Sequence, residues 1–292
     1  MKFGSVENPE MVDFTIPSDH SATAGVLAKG TGGLKEVFVG CAKWNKSDLK
    51  GFYPRGTKDE LAYYAQQFNS IELNATFYNR YSPDHVVEWR EKTPDGFKFF
   101  PKVHRYISHI KRLNNVEMSL EEFCQTVRSF EHKLGMAFLQ VHNNFAPKNM
   151  DRLVSTLEFW PKDIPLAVEL RHTDWFNDEV VAEELYDLLE SHGAANIIVD
   201  TAGRRDLMHM RLTTPVAFVR YVGANHSSDY DRLNDWIERI KTWKDQGLEK
   251  LYFFIHQNLE KESPLLSYQF IQELNKAFDF ELKLPVKQRV KQ

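Results

Sequence analysis

The chain has 292 residues, of which 42% are hydrophobic and 27% charged, with 37 basic and 41 acidic side chains and a net charge of −4. This composition excludes a disordered chain and removes any sequence-wide argument for binding nucleic acid or an anionic membrane. Two cysteines exclude a disulfide framework, the opening MKFGSVENPE lacks the apolar run of a secretory signal, and no stretch approaches the ~18 apolar residues of a membrane span, so the expectation is a soluble cytoplasmic protein with no membrane partner.

Residues 1–35 differ from the rest. Ser18 to Gly33 is small, polar and glycine-rich, which predicts a loosely packed N-terminal arm. From residue 36 onward short apolar runs alternate with helix-period segments. The runs are Val37–Cys41, Ile71–Asn74, Phe97–Val103, Met136–His142, Leu166–Arg171, Ala194–Asp200, Val216–Val222 and Leu251–His256. Each is short and rich in Val, Ile and Phe, the pattern of strands buried on both faces. Between them, Asp59–Phe68, Leu120–Glu131, Asp178–Ser191 and Tyr230–Trp243 read as amphipathic helices. Thr57 and Ser119 are the expected N-caps, and Ser119 with Glu122 forms a capping-box pattern. The stretch between Asp200 and Pro215 is the poorest helix candidate. The last eight residues, PVKQRVKQ, read as a solvated basic tail over 285–292.

Eight strands joined by helical crossovers imply parallel pairing. An open doubly wound sheet would place a glycine-rich phosphate loop after the first strand, where this chain has CAKWNKSDLKGFYP. The sequence therefore favours an α/β fold of the TIM (β/α)8 type, an eight-stranded parallel barrel over 36–284 with the N-terminal extension attached.

In such a barrel the chemistry collects where the strands end. Those ends carry Cys41, Lys43 and Trp44; Glu72, Asn74, Thr76 and Tyr78; Lys102, His104 and His109; Gln140 and His142; Glu169, Arg171, His172 and Trp175; Asp200; Arg220; and His256 with Asn258. Glu72/Asn74, Gln140/His142 and Glu169/Arg171 are spaced i, i+2, so each pair shares a strand face. One structural reading is a salt-bridge network of Glu72, Glu169 and Asp200 against Lys102, Arg171 and Arg220, since charges inside apolar strands need partners. The segment from Phe97 to Val116 holds five Lys/Arg, two His and no acid, interleaved with aromatics, which suits an anion such as a phosphate or a single-stranded nucleic acid. Trp44, Tyr78 and Trp175 fall in strand-to-helix loops and suit a stacking pocket wall, whereas Trp89, Trp160, Trp236 and Trp243 fall on helix patterns and suit packing. Cys41 and Cys124 read as inert, buried cysteines. No nucleotide-cofactor motif is present. Zn²⁺ or Mn²⁺ is conceivable at the His and carboxylate strand ends, but no HxH or HExxH spacing exists, and no residue is assigned as a metal ligand.

Gly40 with Trp44, Phe52-Tyr53-Pro54, Glu72-x-Asn74-x-Thr76-Phe77-Tyr78, Trp89 with Pro94, Phe97-x-Phe99 with Lys102, His109 and Lys133-Leu134-Gly135 follow one another in order, ahead of Val168-Glu169-Leu170-Arg171-His172 with Trp175-Phe176. This string resembles the DUF72 family, also called YecE-like, over roughly residues 36 to 278. The resemblance implies a barrel with a polar pocket at the strand C-termini and supplies no settled activity. Three rim segments depart from the family pattern. A Pro-Pro pair after Leu-Gln is replaced by Val141-His142-Asn143-Asn144, Arg-x-His-Gly by Arg220-Tyr221-Val222-Gly223, and Phe-Asn-Asn by Ile255-His256-Gln257-Asn258.

The leading functional expectation is an enzyme acting on an anionic small molecule or nucleic-acid fragment, most simply by hydrolysis. Glu72 and Glu169 would be its acid/base pair, with Asp200 completing the acidic set. Lys102, His109, Arg171 and Arg220 would hold the anion. Asn74, Gln140 and Asn258 would orient it, with Trp44, Thr76, Tyr78, His142, His172, Trp175 and His256 lining the site. The alternatives are a non-catalytic anion or single-stranded nucleic-acid module, and a metal-dependent phosphoesterase related to endonuclease IV-like barrels. The sequence assigns no oligomeric state.

Overall fold

The computed structural model describes residues 3–287. The first four expected strands appear as β1 (Glu36–Cys41), β2 (Ser70–Leu73), β3 (Lys98–Pro101) and β4 (Ala137–Gln140), followed by β5 (Leu166–Glu169). The sixth is split into β6 (Ala195–Asn196) and β7 (Ile198–Thr201), and β8 (Val216–Gly223) and β9 (Lys250–Gln257) complete the set. All pairings are parallel. The molecule is thus an α/β protein.

A continuous eight-stranded ring is not what the ladders form. They make a six-stranded sheet, β3-β2-β1-β9-β8-β7, and a three-stranded sheet, β4-β5-β6. Two local causes explain the division. Between β3 and β4 only single bridges occur, Phe99 with Leu134 and Lys102 with Phe138. The Gly135 N–H donates to the Phe99 carbonyl and the Val103 N–H to the Phe138 carbonyl, at 2.8 and 2.9 Å. Pro101 lies between these two donor–acceptor positions and has no N–H to continue the ladder. At the other junction the chain changes sheets within three residues. Ile197 N–H donates to Val168 of β5 at 2.9 Å, and Ile198 already pairs with Val219 of β8.

Side chains alternate across the strands. One set, including Phe100, Phe138, Ala167, Ala195, Val199, Phe218, Tyr252 and Phe254, forms a single inner cluster to which both sheets contribute. Its rings meet closely: Phe100 lies 4.7 Å from Tyr252 and 4.8 Å from Phe254, centroid to centroid. Fully burying each such ring stabilises the fold by roughly 1.5–3 kcal/mol. The alternate set packs outward with the helices in the larger core, which includes Ile71, Leu139, Val168, Ile198, Tyr221, Phe253, Trp236 and Trp243.

Helix starts differ from expectation at two places. Helix α2 (Glu60–Ala65), which follows the short α1 (Thr23–Leu27), is capped by Asp59, whose carboxylate accepts from Ala62 N–H at 2.9 Å. Thr57 bonds the Pro54 carbonyl instead. After α3 (Ala75–Tyr78) and α4 (Pro83–Glu91), α5 (Glu117–Arg128) begins two residues before Ser119, with Val116 at its cap. Glu122 of the expected capping box is taken by Arg80 at 2.9 Å. The later helices are α6 (Met150–Phe159), α7 (Glu179–Ser191), α8 (Ser228–Gln246) and α9 (Ser263–Phe278).

The N-terminal arm is not loose. Thr23, Val26 and Leu27 of α1 are buried, and Thr23 Oγ1 donates to the Met210 carbonyl at 2.8 Å. Arg239 holds the Pro17 carbonyl at 2.8 Å and also bonds Asp19, while the Arg232 guanidinium lies 4.3 Å from the Phe14 ring. Small residues let this strap lie close to the body. A Cβ on Gly30 would meet the Gly247 carbonyl oxygen at 2.1 Å. Of the expected basic tail over 285–292, residues 288–292 lie outside the described residues.

Candidate functional site

The alternation that builds the inner cluster also sets the polar groups above it. On β8, Phe218 points into that cluster, so Arg220 two residues later shares its face. The same step leads from Ala167 to Glu169 and on to Arg171, from Phe138 to Gln140, from Phe100 to Lys102 and from Phe254 to His256. These residues meet, with Glu72 of β2, toward the carboxyl ends of the strands.

Arg220 joins the two carboxylates. Its Nε and Nη2 donate to Glu72 at 2.9 and 2.8 Å, and its Nη1 donates to Glu169 at 2.6 Å. Glu72 also accepts from Asn74 Nδ2 at 2.8 Å and contacts His256 Nε2 at 2.8 Å. The second oxygen of Glu169 accepts from Arg171 Nε. Lys102 Nζ donates to Gln140 Oε1 at 2.8 Å and lies over the Phe77 and Phe138 rings, 4.3 and 5.8 Å from their centroids.

Burial and these partners shift the proton affinities of the charged groups in opposite directions. Burial opposes ionisation of Glu72, but Arg220 and His256 outweigh it and hold the carboxyl well below the usual range. Burial is likewise outweighed at Glu169, where Arg171 and Arg220 bring the carboxyl down to about 2. Arg220 is held protonated by the same two carboxylates despite its burial. For His256, burial pulls downward, and Glu72 together with Glu260, 3.7 Å from Nδ1, raises it overall. Lys102 moves the other way: burial first, then Arg220, lower it to about 7. His109 stands in the π-helical turn Tyr106–Ile110, its ring edge-on to Phe77 at 4.8 Å and to His142 at 5.4 Å. Burial and the neighbouring Lys102 bring it down to about 4.

The remaining expected residues divide. Trp44 and Tyr78 border a cavity of about 220 Å³ with Lys43, Glu72 and Asn74, and Tyr78 is 57% exposed. Thr76 is buried, its Oγ1 lying 2.7 Å from the Lys102 carbonyl, so it ties a backbone end rather than facing the cavity. His172 Nδ1 accepts from Asp174 N–H at 3.3 Å and caps a turn. Asn258 N–H donates to the Gly223 carbonyl at 3.3 Å. Trp175 is no pocket wall: it is fully buried, stacked on Phe145, and donates to the Phe145 carbonyl at 2.6 Å.

Asp200 is not brought to this centre. Ile197 and Val199 belong to the inner cluster, so Asp200 faces outward, toward α8. There it accepts from Arg232 at 2.6 Å, from Trp236 Nε1 at 2.8 Å and from Arg205. The expected network therefore forms in two separate parts. Cys41 is buried and pushed by that burial up to about 12, an inert thiol. Among the described residues no three of the His, Cys, Asp and Glu side chains are placed to hold a metal ion.

Sequence reasoning missed Phe77 and Phe138, although the i, i+2 step back from Gln140 reaches Phe138. It also missed Phe3, for which no sequence signal exists. The Phe3 ring lies 3.5 Å from the Arg171 guanidinium and packs against the inner cluster. Gly4 anchors it, accepting from Gly203 N–H at 2.9 Å. With φ +71° and a Cβ position 1.9 Å from Thr201 Oγ1, residue 4 has room only for glycine.

Known proteins share this architecture. The chain is 25% identical over 263 residues to the UPF0759 protein YecE of Escherichia coli (strain K12), covering 82% of this chain and 93% of the relative. It is 26% identical to the UPF0759 protein YunF of Bacillus subtilis (strain 168), covering 56% and 60%. Among solved structures, a DUF72 family protein from Thermotoga maritima MSB8 superposes with a TM-score of 0.67 at 25% identity, covering 82% of this chain and all of that one. One from Enterococcus faecalis V583 gives 0.66 at 18%, covering 86% and 99%. The model of the family described as "Protein of unknown function DUF72" matches residues 38–289, most of the chain, and the protein belongs to that family.

Proposed function

We propose that the two sheets act together as one eight-stranded TIM-type barrel and that its polar mouth binds a small anion. The observation that carries this reading is uncompensated positive charge. Among the described residues Lys102, Arg171 and Arg220 converge on two carboxylates, whose oxygens are already engaged by the guanidiniums, leaving Lys102 with a neutral amide as its hydrogen-bond partner. Buried cations of this kind are stabilised by an incoming anion that supplies charge-assisted hydrogen bonds. The adjoining cavity of about 220 Å³, bordered by Trp44 and Tyr78, gives room for a planar part of the ligand.

In this reading Glu72 and Glu169 fix the guanidiniums. A general acid must keep its proton near neutrality, and both carboxyls are held far below that. Hydrolysis by this pair is therefore set aside in favour of anion binding. A phosphate-bearing nucleic-acid fragment is the larger ligand favoured by the basic segment, where Lys111 lies 5.7 Å from the Tyr106 ring and Arg80, from outside the segment, 5.3 Å from it. Among the described residues no helix is long and apolar enough to cross a membrane.

Calorimetric titration of the purified protein with inorganic phosphate and with a mononucleotide tests the reading. Binding that weakens with added salt and drops at least tenfold in Arg171→Met supports it. Absence of binding by either probe at millimolar concentration overturns it.

A further inference from the structure

Lys102 occupies an unusual position. It is 7% exposed at the end of β3, packed against two phenyl rings, and its Nζ donates to an amide oxygen. Both oxygens of Glu72 are engaged by Asn74, His256 and Arg220, and both oxygens of Glu169 by Arg171 and Arg220, and among the described residues no carboxylate forms an ion pair with the lysine. The Arg220 and Arg171 guanidiniums are close enough to disfavour its protonated form. An amine in such surroundings is poised for attack on carbon, because desolvation and neighbouring cations favour its neutral, nucleophilic form.

We propose that Lys102 is an amine nucleophile that condenses reversibly with the carbonyl group of a small anionic aldehyde or ketone held by Arg171. This rests on the anion-binding reading and names its substrate class. The Nζ lone pair would form a bond to the carbonyl carbon as the carbon–oxygen π pair moves to oxygen, which takes up a proton. The nitrogen then loses a proton to solvent. The carbinolamine oxygen takes a further proton and leaves as water while the nitrogen lone pair forms the carbon–nitrogen double bond. The net change is amine plus carbonyl plus one proton giving iminium and water, with no oxidant or reductant involved. The iminium retains an N–H that can donate to Gln140 Oε1, and its charge is the one the ammonium group carried, so the surroundings need not change as the bond forms. Burial lowers Lys102 to about 7, which leaves much of it as free amine at neutral pH.

The test is reductive trapping. The full-length protein is incubated with pyruvate, with glyceraldehyde 3-phosphate and with uncharged acetone, each with cyanoborohydride, and adducts are located by intact mass and peptide mapping. The expected result is one adduct per chain at Lys102 with a charged probe, at least tenfold faster than with acetone. The trapping rate should rise with pH and level off just above 7, and the adduct should be absent from Lys102→Arg. The wild-type peptide map decides the matter even if that variant does not fold. Adducts spread over surface lysines, or none, overturn the proposal, and so does a rate that keeps climbing to pH 10. If phosphate binds normally but Lys102 is never trapped, the amine role fails and the anion site stands. If Lys102 is trapped equally fast by acetone and the charged probes, the anion site fails and the amine role stands.

Discussion

Two buried carboxylate–arginine networks lie on opposite faces of the same strands. On β8 the consecutive residues Arg220 and Tyr221 enter different ones. Outside, Asp200 and Asp229 face Arg232 and Arg205, with Trp236 Nε1 and Gln257 Nε2 supplying neutral donors and Tyr221 stacking 4.4 Å from Arg232. Inside, Glu72 and Glu169 face Arg220 and Arg171, with Lys102 added. The outer set has as many guanidiniums as carboxylates and is closed off by α8. The inner set carries a further cation and opens on the cavity beside Trp44. The contrast teaches that a buried ion network is not by itself a functional signal. What distinguishes the inner one is a lysine whose hydrogen-bond partner is the neutral Gln140 amide rather than a carboxylate.

The sharpest way to break this contrast is to remove the central arginine of the outer set. Arg232→Met leaves Asp200 and Asp229 with a lost charge partner in the interior. It should cost about 3–5 kcal/mol in urea unfolding. Phosphate affinity per folded molecule should be unchanged. A loss of binding with intact fold would mean that the outer network also serves the ligand.

Acid titration comes next. Glu169 has its folded value near 2, below the 4.5 of an ordinary glutamate. The unfolded chain therefore binds more protons between these values. The stabilisation is fully present above 4.5 and is lost as pH falls toward 2, about 3 kcal/mol in all. Arg220→Met removes the second of the two guanidiniums that lower Glu169, after Arg171, and should reduce this slope while abolishing anion binding. An unchanged slope in the variant would show that Arg171 alone holds Glu169.

How much of this could be read beforehand follows from the same parity argument. Runs such as Val216–Val222 and Leu251–His256 located the strands because β-branched and aromatic residues cluster there, and the pairs Glu72/Asn74 and Glu169/Arg171 share a face because the side-chain period is two. Asp200 was misplaced because AANIIVD carries apolar residues on both faces, Ala194 and Ile198 on one and Ala195, Ile197 and Val199 on the other, so its apolar residues alone do not mark which face is inside. A shift of one residue sends the carboxylate to the opposite side. The strap was misread for a different reason. Small residues and glycines signal looseness in a sequence, but Gly4 and Gly30 serve close approach. Trp175 gave no warning either, since the buried carbonyl of Phe145 that accepts its N–H is distant in sequence.

A smaller effect probes Lys102 without chemistry. Its folded value near 7 lies below the usual 10.5, so the folded state carries the full burden of the buried charge below 7 and sheds it as pH rises toward 10.5. Lys102→Gln should therefore be as stable as the wild type or more so at pH 6, by about 1–2 kcal/mol, with the difference shrinking or reversing by pH 9. Urea midpoints at the two pH values measure it. Outer-network variants should not show this crossover.

The smallest expected change concerns Phe3. Its ring covers one face of Arg171 at 3.5 Å, while Nε of the same guanidinium is bound to Glu169. The ring keeps water from that face and fixes the plane in which the remaining N–H groups point. Phe3→Ala should cost about 0.5–1 kcal/mol, the value of a partly exposed cation–π contact. Phosphate affinity should fall by a few fold, because a better-hydrated Arg171 gains less from an anion. The outer network sits on the far face of the strands and does not touch this ring, so the stability cost of Arg232→Met should add to that of Phe3→Ala within about 0.5 kcal/mol. A double variant that departs from this sum by more than 1 kcal/mol would mean that the strap, which touches Arg232 through Phe14 and Arg171 through Phe3, couples the two networks after all.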